Sequence, residues 1–303
     1  MRILVSGLIN IETTLRVDGF PIEYFPVRYP FWGVNSTVSG VGYNIAKALT
    51  TLGDEARFVS LIGQDMQGRL VRDALAADGI PTDFVLSAVP QTAQSVILYD
   101  GAGRRQIHVD LKDLQERAYP AAQFEAALEG CALAVLCNIN FSRPFLQAVK
   151  QRGILVATDV HTVYDLEDAY NRDFMAAADI LFMSDEQLPT SPEAWAQSVM
   201  DRYHPKILVI GLGAQGALLT VRGQNTSVRV PAVRTREVVN TIGAGDALFS
   251  AFIHAYARIR NAYAALLRAM VFASYKIGET GAAQGFLTEP ELTDWCTRLK
   301  RQQ

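Results

Sequence analysis

The stretch VVNTIGAGDALFSAF, residues Val238–Phe252, joins a glycine-rich turn to the start of an apolar helix. Gly243, Ala244 and Gly245 carry almost no side chain, so the backbone there is free to approach a ligand closely. The apolar residues that follow recur at helical spacing. The N–H groups at the start of such a helix, together with its dipole, predict an anion-binding site, which we call the anion cradle (residues 242–245).

Asp246 lies in the first turn of that predicted helix. A carboxylate at a helix start stays ionised and is able to accept a proton, so Asp246 is the candidate general base. An anion cradle beside a carboxylate suits phosphoryl transfer, because that reaction depends mainly on positioning and charge stabilisation. The alternative is purely structural, with a tight turn and Asp246 as a capping residue that compensates the helix dipole.

The rest of the chain alternates short apolar runs with amphipathic helical patterns, which indicates an α/β fold. Strands buried on both faces and separated by helices predict a doubly wound, mainly parallel sheet flanked by helices. Ligands of such folds bind at the carboxyl ends of the strands. The predicted strands are Ile3–Ser6, Arg57–Ile62, Leu133–Cys137, Ile154–Thr158, Ile180–Met183 and Ile207–Ile210.

Two segments interrupt this alternation, at about residues 12–38 and 94–109. The first mixes prolines with aromatic residues, and the second predicts a hairpin of Ser95–Asp100 and Arg104–Val109 around a Gly-Ala-Gly turn. We expect both segments to form a small β-lid inserted into a single domain that spans residues 1–303. Open strand edges on such a lid also favour a homodimer formed through it.

Composition limits the class of partner. The chain is 50% hydrophobic and 19% charged, which predicts a packed globular core rather than disorder. A net charge of -3 indicates no general attraction to nucleic acid or to an anionic membrane. The first residues lack the pattern of a signal peptide, and no apolar run reaches the roughly 20 residues that cross a bilayer. The three cysteines show no CxxC spacing, so we expect reduced thiols in a cytoplasmic protein.

Several stretches resemble signatures of the PfkB (ribokinase-like) carbohydrate kinases. Residues 240–246 resemble the family's DTxGAGD signature, and residues 39–53 its Gly-Gly-x-x-x-Asn-x-Ala…Leu-Gly motif. Gly63–Asp65 with Gly68, and Gly211–Gly216, are similar to two further loops of the family. The matches span nearly the whole chain in the expected order. The resemblance implies a ribokinase-like fold with a β-lid, and a kinase that uses ATP and Mg²⁺.

The resemblance also implies residue roles. Asp246 would deprotonate the acceptor hydroxyl, while the amides from Ile242 to Gly245 would hold the transferring phosphoryl group. For Asn44, a helix-terminus amide is the structural alternative to a substrate contact. The implied substrate-binding residues are Asn10, Glu12, Gly40, Gly42 and Asn44; the implied nucleotide-side residues are Gly211, Gly213, Gly216, Thr241 and Ile242.

Arg104 and Arg105 lie on the predicted lid hairpin. An arginine there has the reach to contact a substrate or phosphate oxygen, and we take Arg104 as the candidate. The alternative for both is an ordinary exposed charge on a hairpin.

Some positions depart from the family's pattern. Glu12 replaces an aspartate that binds substrate hydroxyls in many members. Because its side chain is one methylene longer, the substrate would have to lie farther from the backbone of this strand by about the length of one methylene. Asn240 replaces the first aspartate of the signature, near which relatives hold a monovalent cation, so strong potassium activation is not expected. The motif tied to magnesium aligns with Ser184 and Gln187, which do not match. Asp185 or Glu186 is then the candidate for outer-shell magnesium binding, and we take Glu186; the alternative is a solvated acidic helix start.

Gly211-x-Gly213-x-x-Gly216 after an apolar strand also matches the dinucleotide-binding fingerprint formally. The residues that follow, Ala217–Val221 and Ser227–Val230, predict a hairpin and not the helix that would receive a pyrophosphate. The pattern therefore argues against an oxidoreductase.

The acceptor is left open between a sugar and a nucleoside. The aromatic residues of Phe20–Trp32 offer enough surface to stack a base, but they equally suit packing of the lid against its domain or a second subunit. We expect a sugar kinase, with a nucleoside kinase as the alternative. A third hypothesis, suggested by Asn240, Ser184 and Gln187, is a relative that senses a ligand without turnover.

Overall fold

In a computed structural model of the protein, residues 1–224 and 226–301 are described. The expected domain of residues 1–303 thus includes Asn225, Gln302 and Gln303, which lie outside the described residues. The fold is α/β, as predicted, with a large sheet flanked by helices and a second, smaller sheet.

The strands of the described residues follow in chain order. They are β1 (Arg2–Ser6), β2 (Asn10–Arg16), β3 (Val34–Ser39), β4 (Glu55–Gly63), β5 (Val85–Val89), β6 (Gln94–Tyr99), β7 (Arg105–Asp110), β8 (Leu133–Leu136), β9 (Leu155–Asp159), β10 (Ile180–Ser184), β11 (Ile207–Gly211), β12 (Ala217–Val221) and β13 (Val228–Val230).

The helices alternate with these strands. They are α1 (Val41–Thr51), α2 (Met66–Ala77), α3 (Ala121–Leu128), α4 (Leu146–Gln151), α5 (Arg172–Ala177), α6 (Pro192–Tyr203), α7 (Ala244–Ile259), α8 (Ala262–Lys276) and α9 (Glu289–Lys300).

The large sheet has the strand order β13-β12-β11-β10-β9-β8-β1-β4-β5. From β11 to β5 every neighbouring pair is parallel, and β12 and β13 add an antiparallel edge. The six predicted strands all form within this sheet. The hairpin predicted after β11 also forms, which removes the helix that a dinucleotide site needs.

The direction of chain progression reverses beside β1, which lies between β8 and β4. Crevices at such switch points, outside the carboxyl ends of the strands, are where α/β folds bind ligands. Both faces of β1 are apolar: Ile3 and Val5 lie in one core, and Leu4 lies in the other. Helices α1, α7 and α8 cover the first core, whereas α3, α4 and α6 cover the second.

The smaller sheet, which we call the small sheet, has the order β3-β2-β6-β7. β6 and β7 form the predicted hairpin, with Ile97 opposite Ile107. β2 runs parallel to β6 and antiparallel to β3. The sheet lies against the rest of the fold where Ile97 packs on Ile242 and Ala282.

A close backbone contact fixes the start of α1. A Cβ atom on Gly42 would lie 2.5 Å from the carbonyl carbon of Gly7, and one on Gly7 would lie 2.6 Å from the Sγ atom of Cys137. Only glycine permits this approach. The contact holds α1 at the carboxyl end of β1, so its first turn faces the crevice. None of the helices in the described part of the chain is long and apolar enough to cross a membrane.

Candidate active site

The anion cradle spans the start of α7, and Gly243 is the N-cap residue of that helix. Its φ of 74° is in the left-handed region, and a Cβ there would lie 2.4 Å from the carbonyl oxygen of Ala282. Only glycine fits this position without strain. Gly245 is different, because a Cβ there would meet nothing within 4 Å. Gly243 is therefore required by the fold, whereas Gly245 faces open space.

The N–H groups available to an anion differ from the predicted set. The N–H of Ile242 donates to the Asn240 side chain at 2.7 Å, and the N–H of Ala244 donates to the Thr241 carbonyl at 3.1 Å. The backbone N–H groups of Gly243, Gly245 and Asp246 donate no hydrogen bond to any of the described residues. The prediction that Ile242 and Ala244 contribute N–H donors is thus corrected, because the turn itself uses those donors.

Asp246 is buried in the first turn of α7 and faces other site residues rather than its own helix. Its Oδ2 atom accepts a hydrogen bond of 2.7 Å from Nδ2 of Asn44 in α1. Burial raises the pKa of Asp246, and the charge of Asp159 adds to that effect, while the bond from Asn44 opposes it. From its position at a helix start we expected Asp246 to be ionised, but desolvation opposes ionisation. Because its pKa is raised, the ionised carboxylate is a stronger base than an exposed one.

A chain of polar contacts extends from Asp246 to the small sheet. The Ser39 hydroxyl lies 3.4 Å from Oδ1 of Asn44 and 3.0 Å from Oε2 of Glu12. Burial raises the pKa of Glu12, while the hydrogen bond from Ser39 opposes the increase. Asn10, at the start of β2, donates to the Ser95 hydroxyl at 2.9 Å. The predicted residues Asn10, Glu12, Asn44 and Asp246 thus form one buried group.

Two acceptor atoms of this group lack a partner. Oδ1 of Asn10 and Oε1 of Glu12 are buried, and no donor among the described residues reaches either atom. A buried unpaired acceptor costs about 1–3 kcal/mol, so such atoms in a cleft indicate a place where a ligand supplies donors.

The two glycines predicted for the substrate pocket shape it from the backbone. Gly40 has a φ of 110°, and a Cβ there would lie 2.7 Å from the carbonyl oxygen of Leu8. Gly42 makes the contact with Gly7 described above. Both glycines therefore position α1, and Asn44 is the residue of this motif whose side chain lies in the buried polar group.

The two hairpin arginines have different partners. Arg104 donates to Asp100 at 2.8 Å within its own hairpin and lies over the Phe20 ring. Arg105 donates instead to the Thr241 hydroxyl at 3.1 Å, beside the anion cradle. The structure thus places Arg105, rather than the predicted Arg104, at the site. Both arginines were visible in the sequence, but only the strand register decides which one faces the cradle.

The predicted nucleotide-side loop follows β11 at the same edge of the sheet. A Cβ on Gly216 would lie 2.0 Å from the carbonyl oxygen of Val230, so this glycine is required by the turn. A Cβ on Gly213 would meet nothing within 4 Å, and one on Gly211 would lie 3.8 Å from the Met183 carbonyl oxygen. Gly211 and Gly213 therefore leave open space beside the backbone, while the positive φ of 55° at Gly213 and the close contact at Gly216 fix the shape of the loop.

Carboxylates lie at the carboxyl ends of two neighbouring strands at this edge. Asp159 ends β9, accepts the His161 N–H at 2.8 Å, and is near enough to Asp246 to raise its pKa. Asp185 follows β10, and its N–H donates to the Gly211 carbonyl at 2.9 Å. The predicted magnesium residue Glu186 is exposed. Sequence reasoning missed Asp159, although an acidic residue after a buried strand was a usable signal.

Another missed residue is Lys276, the last residue of α8. Its side chain is fully buried and donates to the carbonyl oxygen of Ile242, below the cradle. The sequence contained no clear signal, since a lysine in the last turn of a helix is an ordinary feature.

A separate cleft of about 560 Å³ lies at the opposite edge of the large sheet, between the start of β11 and the end of α7. Lys206, Tyr256 and Arg260 line it, and no carboxylate is among its described lining residues. It therefore lacks a base for an acceptor hydroxyl, and the group around Asp246 is the candidate active site.

Comparison with known families decides the assignment. Residues 2–289 match the model of the pfkB family of carbohydrate kinases. The chain belongs to the PfkB family. This membership makes it a kinase, a phosphotransferase with an alcohol group as acceptor.

Individual relatives agree with this. An acarbose 7(IV)-phosphotransferase of an Actinoplanes species is 29% identical over 83% of each chain. The structure of a microbiome-derived acarbose kinase superposes with a TM-score of 0.88 at 24% identity, over 98% of this chain and 99% of the other. A Burkholderia thailandensis nucleoside kinase superposes with a TM-score of 0.79 at 20% identity, over 98% of each chain. These two structures share the ribokinase-like PfkB fold.

The contrast between the cradle glycines gives a matched pair of variants. We expect Gly245→Ala to fold normally and to lose kcat by roughly 100-fold, because the new methyl group occupies the space of the anion. Gly243→Ala should instead lose roughly 1–3 kcal/mol of stability, because its φ and the Ala282 contact exclude a side chain. Urea unfolding and steady-state kinetics separate the two effects. Full activity of Gly245→Ala would contradict this location of the anion.

The two arginines provide a second pair. Arg105→Gln should lower kcat by roughly tenfold or more, because it removes a charge beside the cradle. Arg104→Gln should change kcat by less than about threefold, because that guanidinium is held by Asp100. Steady-state ADP release measures both. A larger loss for Arg104→Gln than for Arg105→Gln would contradict the observed register.

Proposed function

We propose that the protein transfers the γ-phosphoryl group of ATP to a hydroxyl of a small sugar or sugar derivative. The observation that carries this proposal is the position of two unpaired buried acceptors, on Asn10 and Glu12, in the same polar group as Asp246. Sugar hydroxyls are donors at a spacing that suits neighbouring acceptors. Binding them would relieve the desolvation of both atoms and would direct one further hydroxyl toward Asp246.

The proposed reaction uses the chain's own groups as follows. Asp246 accepts the proton of the acceptor hydroxyl, whose oxygen then forms a bond to the γ-phosphorus. The bond between that phosphorus and the bridging oxygen of ADP breaks, and ADP leaves with its electron pair. The N–H groups of Gly243, Gly245 and Asp246 stabilise the negative charge on the transferring group, and Arg105 lies beside them.

We propose that Mg²⁺ is held by Asp159 and Asp185, with the predicted Glu186 further out. Mg²⁺ prefers carboxylate oxygens and usually takes only one or two from a protein, with water and phosphate as its other ligands. Carboxylates after the neighbouring strands β9 and β10 fit this requirement. The bound ion would neutralise phosphate charge.

The aromatic segment does not favour the nucleoside alternative. Tyr24, Phe31 and Trp32 are 84–102% exposed. The segment follows Arg16, at the end of β2 opposite to Asn10. A base stacked on these rings would therefore lie away from the acceptor pocket, which supports a sugar over a nucleoside.

We further propose that the small sheet is a lid that closes over the acceptor and keeps water from the reaction. β3 and β7 are its two edges, and every residue of β7 is exposed. Such open edges favour pairing with a second subunit, so the predicted homodimer remains part of the proposal.

Substitution of the base tests the reaction. We expect Asp246→Asn to lower kcat by roughly 100- to 10,000-fold while ATP still binds, because the amide cannot accept the proton. The raised pKa of Asp246 predicts that kcat of the unmodified enzyme rises with pH, with a midpoint above the usual aspartate value of about 3.9. The variant should lose this dependence. Nucleotide binding without acceptor-dependent ADP release in the unmodified enzyme would instead support the ligand-sensing hypothesis.

A screen of acceptors tests the substrate class. Thermal shift with a non-hydrolysable ATP analogue should show stabilisation by sugars, and Glu12→Gln should weaken that stabilisation by about 1–3 kcal/mol because it replaces an acceptor with a donor. Thr13→Val, on the other face of β2, is the control and should change sugar binding little. Stabilisation by nucleosides alone would overturn the preference for sugars.

A further inference from the structure

The PfkB relationship implies a monovalent cation near Asn240, and the oxygen atoms of that region test whether one fits. The carbonyl oxygen of Ile277 accepts hydrogen bonds from the backbone N–H of Val239 at 2.9 Å and from that of Asn240 at 3.1 Å. Oδ1 of Asn240 accepts the Ile242 N–H at 2.7 Å, and the Thr280 carbonyl accepts Nδ2 of Asn240 at 3.2 Å.

A fourth oxygen, the Ile242 carbonyl, accepts a hydrogen bond from the ammonium of Lys276. Each of these four oxygens therefore already has a hydrogen-bond donor. An oxygen that accepts one hydrogen bond keeps a second lone pair, but a monovalent cation bound to these oxygens would lie beside the buried Lys276 ammonium and would be repelled by its charge.

Lys276 places a positive charge where such a cation would act. Its side chain has an exposed fraction of 0%, and an isolated buried ammonium is costly. The charged groups around it are Asp246 of α7, Glu12 of β2 and Glu279, which favour the ammonium, and Arg236, which opposes it. Burial lowers the pKa of Lys276 to about 8, so the ammonium still predominates at pH 7.

We propose that Lys276 is a built-in cation that positions the anion cradle, so that the enzyme needs no free monovalent cation. The ammonium holds the Ile242 carbonyl and thereby fixes the turn that presents the N–H groups of Gly243 and Gly245. Its charge also opposes the repulsion between the buried carboxylates of Glu12 and Asp246. The expected effect of Lys276 on turnover rests on the proposed function. Its expected effect on the stability of the folded protein does not, because stability is measured without substrate.

The first test therefore needs no substrate. The melting temperature of the unmodified protein is measured in KCl, NH₄Cl and tetramethylammonium chloride at equal ionic strength. A specific cation site would stabilise the folded state by mass action in a saturable way. We expect the same melting temperature in the three salts, within about 1 °C. A saturable rise with K⁺ or NH₄⁺ would overturn the proposal, and this result does not depend on any variant.

The second test removes the ammonium. In Lys276→Ala the Ile242 carbonyl loses its donor, so we expect a lower melting temperature that K⁺ or NH₄⁺ raises and tetramethylammonium does not. Lys150→Ala is the matched control, because Lys150 also donates to a carbonyl, that of Ala176 at 3.1 Å, but on an exposed surface. A Lys276→Ala protein that is indifferent to the cation would overturn the proposal.

Turnover gives the third readout once an acceptor is found. The unmodified enzyme should show kcat values within about twofold in the three salts, whereas Lys276→Ala should lose about tenfold or more in tetramethylammonium and recover part of it in K⁺ or NH₄⁺. If no acceptor supports turnover, the proposed function fails while the melting experiments still decide the role of Lys276. A K⁺-dependent increase of tenfold in the unmodified enzyme would overturn the proposal directly.

Discussion

The site depends on one buried interaction, the hydrogen bond between Asn44 and Asp246. It joins α1, which is set by the contact between Gly7 and Gly42, to α7, which begins at the cradle. Burial opposes ionisation of Asp246, and the amide donor of Asn44 limits that effect. The carboxylate thus keeps its ability to take a proton in a buried position, which supports its proposed role as the general base.

The cradle is positioned as much by the segment after α8 as by its own sequence. Residues 276–282 contact residues 239–243 through the Ile277 and Thr280 carbonyls, the Lys276 ammonium and the Ala282 carbonyl. The turn cannot relax without breaking these contacts. Donors that are fixed before the substrate arrives need no reorganisation as charge develops, and this is the main source of electrostatic catalysis.

The fold was predictable because the six predicted strands of the large sheet are short apolar runs that are mostly buried on both faces. Asn44 and Asp246 could also be found, since they belong to local motifs that specify a turn and a helix start. Lys276 and the distinction between Arg104 and Arg105 could not. Their roles arise from contacts between segments far apart in the chain, such as the bond from Arg105 to Thr241, and no local pattern encodes those contacts.

The balance of charge also bears on the acceptor. Glu12 and Asp246 are two carboxylates of one buried group. The positive charge of Lys276 lowers the pKa of both and so compensates part of their negative charge. An acceptor with its own anionic group beside Asn10 and Glu12 would add repulsion where desolvation is already costly. Hydroxyl groups bring donors without charge and fill the same acceptors. This supports the proposal that the neutral, hydroxylated part of a sugar binds beside Glu12 and that any anionic part lies toward Arg105.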